Sequence, residues 1–189
     1  VYKRQSLVIW AGDNECDMAM YHAPRRDPNG NVLTRRVLPE VLYSHDSMRP
    51  YLPSSPYIDE EDYLRGNMIL MEDHLWGSRV YYKGDEYDKS KTCFASEIGY
   101  HGCPSPESIR RFISPDNMGP ADDNEWILHS TAMEPGEKSC FGYRKQLMFN
   151  QVKLLFGQEM TTLEDFALAS QISQMEAYKH FIELFRAYK

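Results

Sequence analysis

The chain has 189 residues, which is enough for one domain with one hydrophobic core. Hydrophobic residues make up 42% of it, and this share excludes an intrinsically disordered chain. The formal net charge of −7 argues against a nucleic-acid partner, since proteins that bind nucleic acid are usually basic. No apolar run of about 18 residues occurs, so we expect neither a transmembrane helix nor a membrane partner.

The four cysteines indicate neither a zinc site nor a cellular compartment. They contain no C-x-x-C pair, which is the usual spacing of a structural zinc site. We predict Cys16 and Cys93 as small buried hydrophobic residues. The sequence begins at Val1, without an initiator methionine and just before a predicted strand. We therefore interpret residues 1–189 as a single partial domain of a longer multidomain chain.

The first predicted strand, Tyr2 to Ala11, ends in a polar cluster. Leu7 to Trp10 form an apolar run, typical of a parallel strand that is buried on both faces. Asp13, Asn14 and Glu15 follow at once, where α/β proteins commonly bind ligands. The simpler interpretation is that Asp13 or Asn14 caps a helix.

The next two strands are shorter and less regular. Thr34 can cap a helix that runs to about His45, with Val37, Leu38, Val41 and Leu42 on its core face. Pro50 to Leu52 predicts a short strand, because the three prolines of this region do not fit a long central strand. Leu64 to Leu75 carries the third strand, which ends near His74 and Trp76.

A fourth strand, Thr92 to Ser96, also ends beside a glutamate, Glu97. Glu15 and Glu97 are about 80 residues apart, which leaves room for two or three βα units of about 30 residues each between them. A lone histidine such as His74 is more often structural than catalytic, but this one also lies at a strand end. Two carboxylates at one edge of a sheet are what the cleavage of a glycosidic bond requires.

The rest of the chain is predicted to be mostly helical. Ser105 caps a short helix to Phe112, a second covers Asn124 to Ser130, and a third runs from Phe141 to Phe156. Gly157 fits the position after that helix, and Thr161-x-x-Glu164 predicts a capping box for the last one. Its predicted core face is Leu163, Phe166, Ala167, Ser170, Gln174, Met175, Tyr178, Ile182 and Phe185. This order of elements predicts an α/β fold with parallel strands.

Four motifs and the C-terminal segment together resemble a known family. The motifs are WAGDNE at Trp10–Glu15, RPYLPSSP at Arg49–Pro56, DHLWG at Asp73–Gly77 and FASEIG at Phe94–Gly99. In this order, and with the tail at 162–186, they resemble glycoside hydrolase family 2 and its β-mannosidase-like branch. The resemblance runs through nearly the whole chain.

The resemblance implies a fold and an activity for the complete protein. The fold would be a partial (β/α)8 TIM barrel, about strands four to seven with the following helices. The other strands and the β-sandwich domains would belong to the rest of the parent chain, which is then a partner of this piece. The activity would be that of a retaining exo-β-glycosidase with a carbohydrate substrate, without a metal or another cofactor.

The resemblance also implies roles for single residues. Glu15 would be the acid/base and Glu97 the nucleophile, while Asn14 would hydrogen-bond the sugar 2-hydroxyl. His74 and Trp76 would orient the nucleophile or line the sugar site, and Ser54 with Ser55 would lie near the sugar. Asp13 stands where many relatives have Asn, and a carboxylate close to Glu15 would raise the pKa of the acid/base.

Two alternatives remain open at this point. A β-glucosaminidase or a β-galactosidase of the same fold would carry the same two glutamates. A non-catalytic carbohydrate-binding barrel belongs to another class, although the presence of both glutamates disfavours it. We expect the isolated 189-residue piece to be inactive even if the parent protein is an enzyme.

The resemblance further predicts that the isolated piece associates with itself. Four strands do not close a barrel, and a half-barrel exposes two sheet edges and part of its core. Light scattering over a range of protein concentrations would detect this association. A monodisperse monomer at high concentration would contradict the prediction.

Overall fold

The computed structural model describes residues 6–17, 30–65, 72–76, 81–119, 124–129 and 143–188. The chain forms two compact units. The first comprises residues 1–75, 91–98 and 189, and the second comprises residues 76–90 and 99–188. Among the described residues, no helix is both long enough and apolar enough to cross a membrane. The assignment of the whole chain to a single partial domain remains a prediction.

The first unit contains two pairs of parallel strands. Its elements are β1 (Trp10–Ala11), a π-helix (Leu33–Val37), α1 (Leu38–His45), β2 (Tyr51–Leu52), α2 (Glu60–Arg65), β3 (Glu72–Leu75) and β4 (Phe94–Ile98). β1 pairs with β2 and β3 pairs with β4, both in parallel. The mixture of helices with parallel strands agrees with the predicted class. The described sheets have two strands each, and the half-barrel remains a prediction.

The first strand is shorter and more exposed than the sequence predicts. Val8 is 72% exposed, so the expected burial of this run on both faces is wrong. Hydrogen bonding to the second strand nevertheless continues beyond β1. The Gly12 amide donates to the Leu52 carbonyl at 2.8 Å, and the Glu15 amide donates to the Ser55 carbonyl at 2.7 Å. The segment that ends in Glu15 therefore runs alongside the segment that ends in Ser55.

The helix after β1 also departs from its predicted form. Thr34 lies inside the π-helix and does not cap it, and its amide donates to Asn31 Oδ1 at 3.4 Å. Of the predicted core face, Val37 and Val41 are exposed, whereas Leu38 and Leu42 are half-buried, so half of the prediction is wrong. Thr34 is the buried residue of the π-helix. The Tyr51 hydroxyl donates to the Thr34 carbonyl at 2.6 Å, which ties this helix to β2.

Gly12 permits the close packing between these elements. A Cβ at this position would lie 2.3 Å from the Tyr51 hydroxyl and 2.5 Å from the Pro53 carbonyl oxygen. Both distances are shorter than van der Waals contact, so a larger residue would push β1 and β2 apart. The glycine therefore helps to keep the segment that carries Glu15 against β2.

The second unit is built from helices around one long element. Its helices are α3 (Asp85–Asp88), α4 (Pro106–Ile109), a 3-10 turn (Pro115–Asn117), α5 (Asn124–His129), α6 (Tyr143–Phe156) and α7 (Leu163–Tyr188). Phe166 of α7 stacks on Phe149 with ring centroids 4.4 Å apart, and the edge of Trp126 meets it at 6.0 Å. The buried core around it comprises Cys103, Ile109, Ile113, Trp126, Val152, Leu163, Phe166, Ala167 and Ala169.

Polar side chains of α7 hold the segment that follows β4 in the chain. The Ser170 hydroxyl accepts from the Cys103 amide at 2.8 Å. Gln171 Nε2 donates to the Cys103 carbonyl at 3.0 Å, and Gln174 Nε2 donates to the Tyr100 carbonyl at 2.8 Å. Satisfying these backbone groups allows an irregular segment to lie against a helix.

The predicted core face of α7 is correct in its first half and wrong in its second half. Leu163, Phe166, Ala167 and Ser170 are buried. Further along, three predicted members of the face are exposed, namely Met175, Tyr178 and Ile182. The buried residues there are Ser173, Ala177, Phe181 and Leu184. A helical period of 3.6 residues is compatible with either of two neighbouring stripes, and the stripe one position away from the predicted one faces the core here.

Three further predictions of helix caps can be compared with the structure. Ser105 is the N-cap of α4, where its side chain accepts from the Ser108 amide, so that prediction is confirmed. Gly157 has a φ of +71° just after α6, as its C′ assignment requires. The N-cap of α7 is Thr162, one residue later than predicted. Thr162 Oγ1 accepts from the Asp165 amide at 3.1 Å and donates to the Asp165 carboxylate at 2.8 Å.

The neighbouring threonines provide a matched test of this cap. We expect Thr162→Ala to lower the free energy of unfolding by about 1 kcal/mol, because the Asp165 amide would lose its acceptor. Thr161→Ala should change it by less than about 0.5 kcal/mol. Urea unfolding of both variants would measure the difference, and equal losses would contradict the assignment of Thr162 as the cap.

Candidate active site

The backbone at the end of the first strand presents Glu15 in an uncommon conformation. Glu15 has a φ of +58°, in the left-handed region that residues other than glycine rarely adopt. Its amide is fixed by the hydrogen bond to the Ser55 carbonyl, and Asn14 forms an isolated bridge with Ser55. A non-glycine residue held in this region by its neighbours is typical of functional sites.

An irregularity in the register of β4 presents two consecutive side chains to the same region. β4 begins two residues later than predicted, so Glu97 lies inside the strand. Asp73 pairs with Ala95, but His74 pairs with Glu97, so Ser96 is an extra residue in the ladder. In a regular strand, Ser96 and Glu97 would face opposite sides. The bulge instead allows Ser96 to contact Glu72 while Glu97 contacts His74.

The buried imidazole of His74 lies between the two glutamates. Its Nδ1 is 2.9 Å from Glu15 Oε1 and 3.4 Å from Glu97 Oε2. The His74 side chain is 1% exposed, whereas those of Glu15 and Glu97 are 45% and 37% exposed. One oxygen of each carboxylate and this nitrogen all lie within 4.8 Å of one another. The carboxylates thus face solvent, and the imidazole supports them from the protein side.

The same three atoms are close enough to contact a metal ion. However, the imidazole nitrogen already lies within hydrogen-bonding distance of Glu15, and exposed carboxylates often cluster in proteins without a metal. We therefore treat the three residues as a hydrogen-bonded group, and the expected absence of a metal remains a prediction.

A second layer of polar side chains lies behind His74. His74 Nε2 is 3.0 Å from the Ser55 hydroxyl, and this hydroxyl donates to Glu72 Oε1 at 2.7 Å. Glu72 is not among the site residues predicted from the sequence, and Ser55 was expected only to lie near the sugar. One signal was available for Glu72. It precedes His74 by two residues on the same strand, and such residues share a face.

The other predicted site residues have varied surroundings. Asn14 is exposed, whereas Ser54 is completely buried. The Ser54 hydroxyl donates to Asp13 at 2.5 Å and accepts from the Asp17 amide at 3.3 Å. Trp76 belongs to the second unit, where a Cβ on Gly99 would lie 2.6 Å from its indole ring. The structure therefore brings together Glu15, His74 and Glu97, with Ser55 behind them.

Asp13 acts as a local cap, which was the simpler interpretation of this residue. Its Oδ1 accepts from the Cys16 amide at 3.3 Å as well as from Ser54, and its Oδ2 accepts from Asn31 Nδ2 at 3.0 Å. These donors account for both carboxylate oxygens. The Asp13 carboxylate therefore has a structural role in this chain.

Burial changes the proton affinity of groups close to the site. Desolvation raises the pKa of Asp73, although the carboxylate also accepts from the His74 amide at 2.8 Å. Cys16 and Cys93 are exposed, so their predicted burial is wrong. Cys103 is buried instead, and burial raises the pKa of its thiol to about 11.

An ion pair lies beneath the segment that carries Glu15. Asp17 is completely buried and pairs with Arg35, whose guanidinium also lies 5.3 Å from the ring centroid of Tyr57. Desolvation raises the pKa of Asp17, and the charge of Arg35 opposes this effect. The pair anchors the chain just after Glu15 to the π-helix.

The chain is similar to a solved glycosidase structure. The crystal structure of a β-D-mannosidase from Dictyoglomus thermophilum is similar to 96% of this chain, with 26% sequence identity and a TM-score of 0.73. The chain spans 21% of the length of that protein, or about a fifth. No family model matches the sequence. No curated protein matches it either. The structural likeness supports a fragment of a glycoside hydrolase.

The buried ion pair generates a prediction with a matched control. We expect Arg35→Met to lower the free energy of unfolding by about 3–5 kcal/mol at neutral pH, because Asp17 would keep a buried charge without its partner. Arg36→Met should change it by less than about 0.5 kcal/mol, since Arg36 and its partner Glu40 are both exposed.

The pH dependence of this loss has a definite sign. The pKa of Asp17 is raised by burial, and it would rise further without Arg35. The folded state of the variant would then bind a proton more readily than the unfolded state does. Its stability should therefore fall as the pH rises from the unfolded pKa towards the folded one. Unfolding measured across acidic and neutral pH would test this, and a loss that does not vary with pH would contradict it.

Proposed function

We propose that this chain is part of a retaining β-glycosidase of glycoside hydrolase family 2, of the β-mannosidase-like branch. The observation that carries this proposal is the cluster of Glu15, His74 and Glu97. The structural neighbour adds support, because it is a β-D-mannosidase and covers nearly all of the chain. The two parallel strand pairs occur in the order expected for strands four to seven of a (β/α)8 barrel.

The spacing of the carboxylates favours a double displacement. Retaining enzymes hold their two carboxyl groups about 5–5.5 Å apart, whereas inverting enzymes need about 6.5–9.5 Å to admit a water molecule. In this chain, one oxygen of Glu15 and one of Glu97 lie within 4.8 Å of each other. This limit applies to one oxygen of each carboxylate, and it is compatible with the shorter separation of retaining enzymes.

Each glutamate then has one role in each of two steps. In the first step, Glu97 attacks the anomeric carbon while Glu15 gives its proton to the leaving oxygen. In the second, Glu15 takes a proton from water as the water displaces Glu97 from the sugar. Glu15 must therefore be protonated and Glu97 ionised at the start. The partial exposure of both carboxylates allows a sugar to reach them.

The other residues of the cluster would position these two. His74 contacts both carboxylates from the buried side, which restrains their side chains. Asn14 is exposed next to Glu15 and is available to the sugar 2-hydroxyl. The remaining barrel strands and the other domains of the parent protein would complete the substrate site. We therefore expect the isolated piece to be inactive.

Two glutamate variants of the complete protein test the proposal on aryl β-mannosides. Glu97→Ala should abolish turnover of every substrate, because no covalent intermediate can form. Glu15→Ala should lower the rate of the first step by about 10²–10⁴-fold for a substrate with a poor leaving group. The rate of that step should fall much less when the leaving group is a very acidic phenol, because such a phenol leaves without protonation. Glu61→Ala is the control, since Glu61 is exposed and paired with Arg65 on the surface.

Stopped-flow and steady-state assays of phenol release would separate the two steps. Full activity in Glu97→Ala would rule out this nucleophile. A panel of aryl β-glucosides, β-galactosides and β-N-acetylglucosaminides would decide between the mannosidase and the other enzymes of the same fold. Binding of sugar without turnover in the wild-type protein would instead favour a non-catalytic barrel.

A further inference from the structure

Glu72 is a buried carboxylate to which the two-step reaction gives no role. It lies on β3, two residues before His74, and is only 9% exposed. Its Oε2 accepts from the Tyr57 amide at 2.8 Å. Its Oε1 accepts from the hydroxyls of Ser55, at 2.7 Å, and Ser96. Three donors thus converge on a group that does not itself contact Glu15 or Glu97 through any described hydrogen bond.

The position of one hydrogen atom can be deduced from these contacts. The Ser55 hydroxyl has a single proton and lies 2.7 Å from Glu72 Oε1, 3.0 Å from Ser96 Oγ and 3.0 Å from His74 Nε2. Two oxygens 2.7 Å apart need a hydrogen between them, and a carboxylate has none to give. It is also the strongest of the three acceptors. The Ser55 hydroxyl therefore donates its hydrogen bond to Glu72.

The direction of this hydrogen bond also determines which nitrogen of His74 carries a hydrogen. Because Ser55 gives its only proton to Glu72, its oxygen can interact with His74 Nε2 only as an acceptor. His74 must then carry a hydrogen on Nε2. In the neutral ring, Nδ1 is left with a lone pair, and this is the atom that faces Glu15 and Glu97.

We propose that Glu72, acting through Ser55, holds neutral His74 in its Nε2–H tautomer and so makes Nδ1 the proton-accepting atom between Glu15 and Glu97. Glu72 and Ser55 are in this sense positioning residues. The consequence for catalysis rests on the proposed function. A lone pair on Nδ1 stabilises a proton on the neighbouring carboxyl of Glu15, and the acid must hold such a proton when the substrate arrives.

The charged groups around His74 come from several elements. Glu15 approaches from the segment after β1, and Glu97 approaches from β4. On β3 itself, Asp73 accepts from the His74 amide, and Glu72 acts through Ser55. All four are acidic, so proton exchange within the group depends on where the histidine carries its hydrogen. The contact with Ser55 is what decides this for the neutral ring.

Glu72→Gln is a precise test because the surroundings fix the orientation of the new amide. The backbone N–H of Tyr57 can only donate, so the amide oxygen must occupy the position of Oε2. The NH2 group then points at Ser55 and Ser96, whose hydroxyls can rotate to accept from it. Ser55 would turn its own proton towards His74 Nε2. The substitution should therefore move the histidine hydrogen from Nε2 to Nδ1 with almost no change in shape.

The direct readout is the tautomer of His74 in the complete protein. We would label its histidines with 15N, assign the His74 signals by their loss in His74→Gln, and record the neutral ring. We expect the hydrogen on Nε2 in the wild type and on Nδ1 in Glu72→Gln. Ser96→Ala is the matched control, because Ser96 contacts the same oxygen of Glu72 but does not contact His74 through a described bond. It should leave the hydrogen on Nε2.

Each result bears on the proposal, even if a variant does not fold. A hydrogen on Nδ1 in the wild type overturns it without any variant. An unchanged tautomer in a folded Glu72→Gln also overturns it. If that variant does not fold, Ser55→Ala serves instead. Persistence of a pure Nε2–H tautomer in Ser55→Ala would show that Ser55 does not select it.

A kinetic measurement distinguishes this inference from the proposed function. We expect Glu72→Gln to lower kcat/KM by roughly 10- to 100-fold, which is part of what acid–base catalysis supplies. It should also move the limb of the pH profile that reports the acid, while Glu61→Gln leaves the profile unchanged. A loss of kcat/KM that is the same at every pH would indicate that Glu72 has a merely structural role. If the wild type has no glycosidase activity, the proposed function fails, but the tautomer is still measured.

Discussion

The arrangement of the first unit depends on the hydrogen bonds of the His74 side chain. The described sheets of this unit are small, with two strands in each sheet. The hydrogen-bonded cluster joins residues that follow β1 and β2 to residues of β3 and β4. An imidazole suits this place because its two nitrogens can interact in opposite directions at once. One nitrogen faces the partly exposed carboxylates, and the other faces the half-buried Ser55.

The backbone reinforces this arrangement at both carboxylates. Glu15 is held by main-chain hydrogen bonds in a conformation that few side chains adopt freely, and Glu97 follows an extra residue in its strand. Both irregularities have a cost in stability, which the surrounding hydrogen bonds and the packing around Gly12 offset. Positions of this kind trade local regularity for a fixed direction of a reactive side chain.

The sequence was informative about which residues meet, and less so about how they are held. Glu15, His74 and Glu97 were recognised because polar residues directly after apolar runs predict one edge of a parallel sheet. Glu72 was missed because it lies within the strand rather than at its end, and its one signal was the two-residue spacing that puts it on the same face as His74. The bulge at Ser96 depends on long-range pairing, which no local pattern encodes. The shifted face of α7 has a similar cause, since tertiary packing chose between two adjacent stripes.

The extra residue in β4 also bears on how this strand tolerates insertions and deletions. Removing Ser96 would restore a regular ladder in which Glu97 still pairs with His74, since the side-chain alternation of two would then be uninterrupted. The strand could thus lose one residue and keep the Glu97 carboxylate in place. What it would lose is the hydroxyl that contacts Glu72. An alignment that scores the glutamate alone would treat the two versions as equivalent, although their buried hydrogen-bond networks would differ.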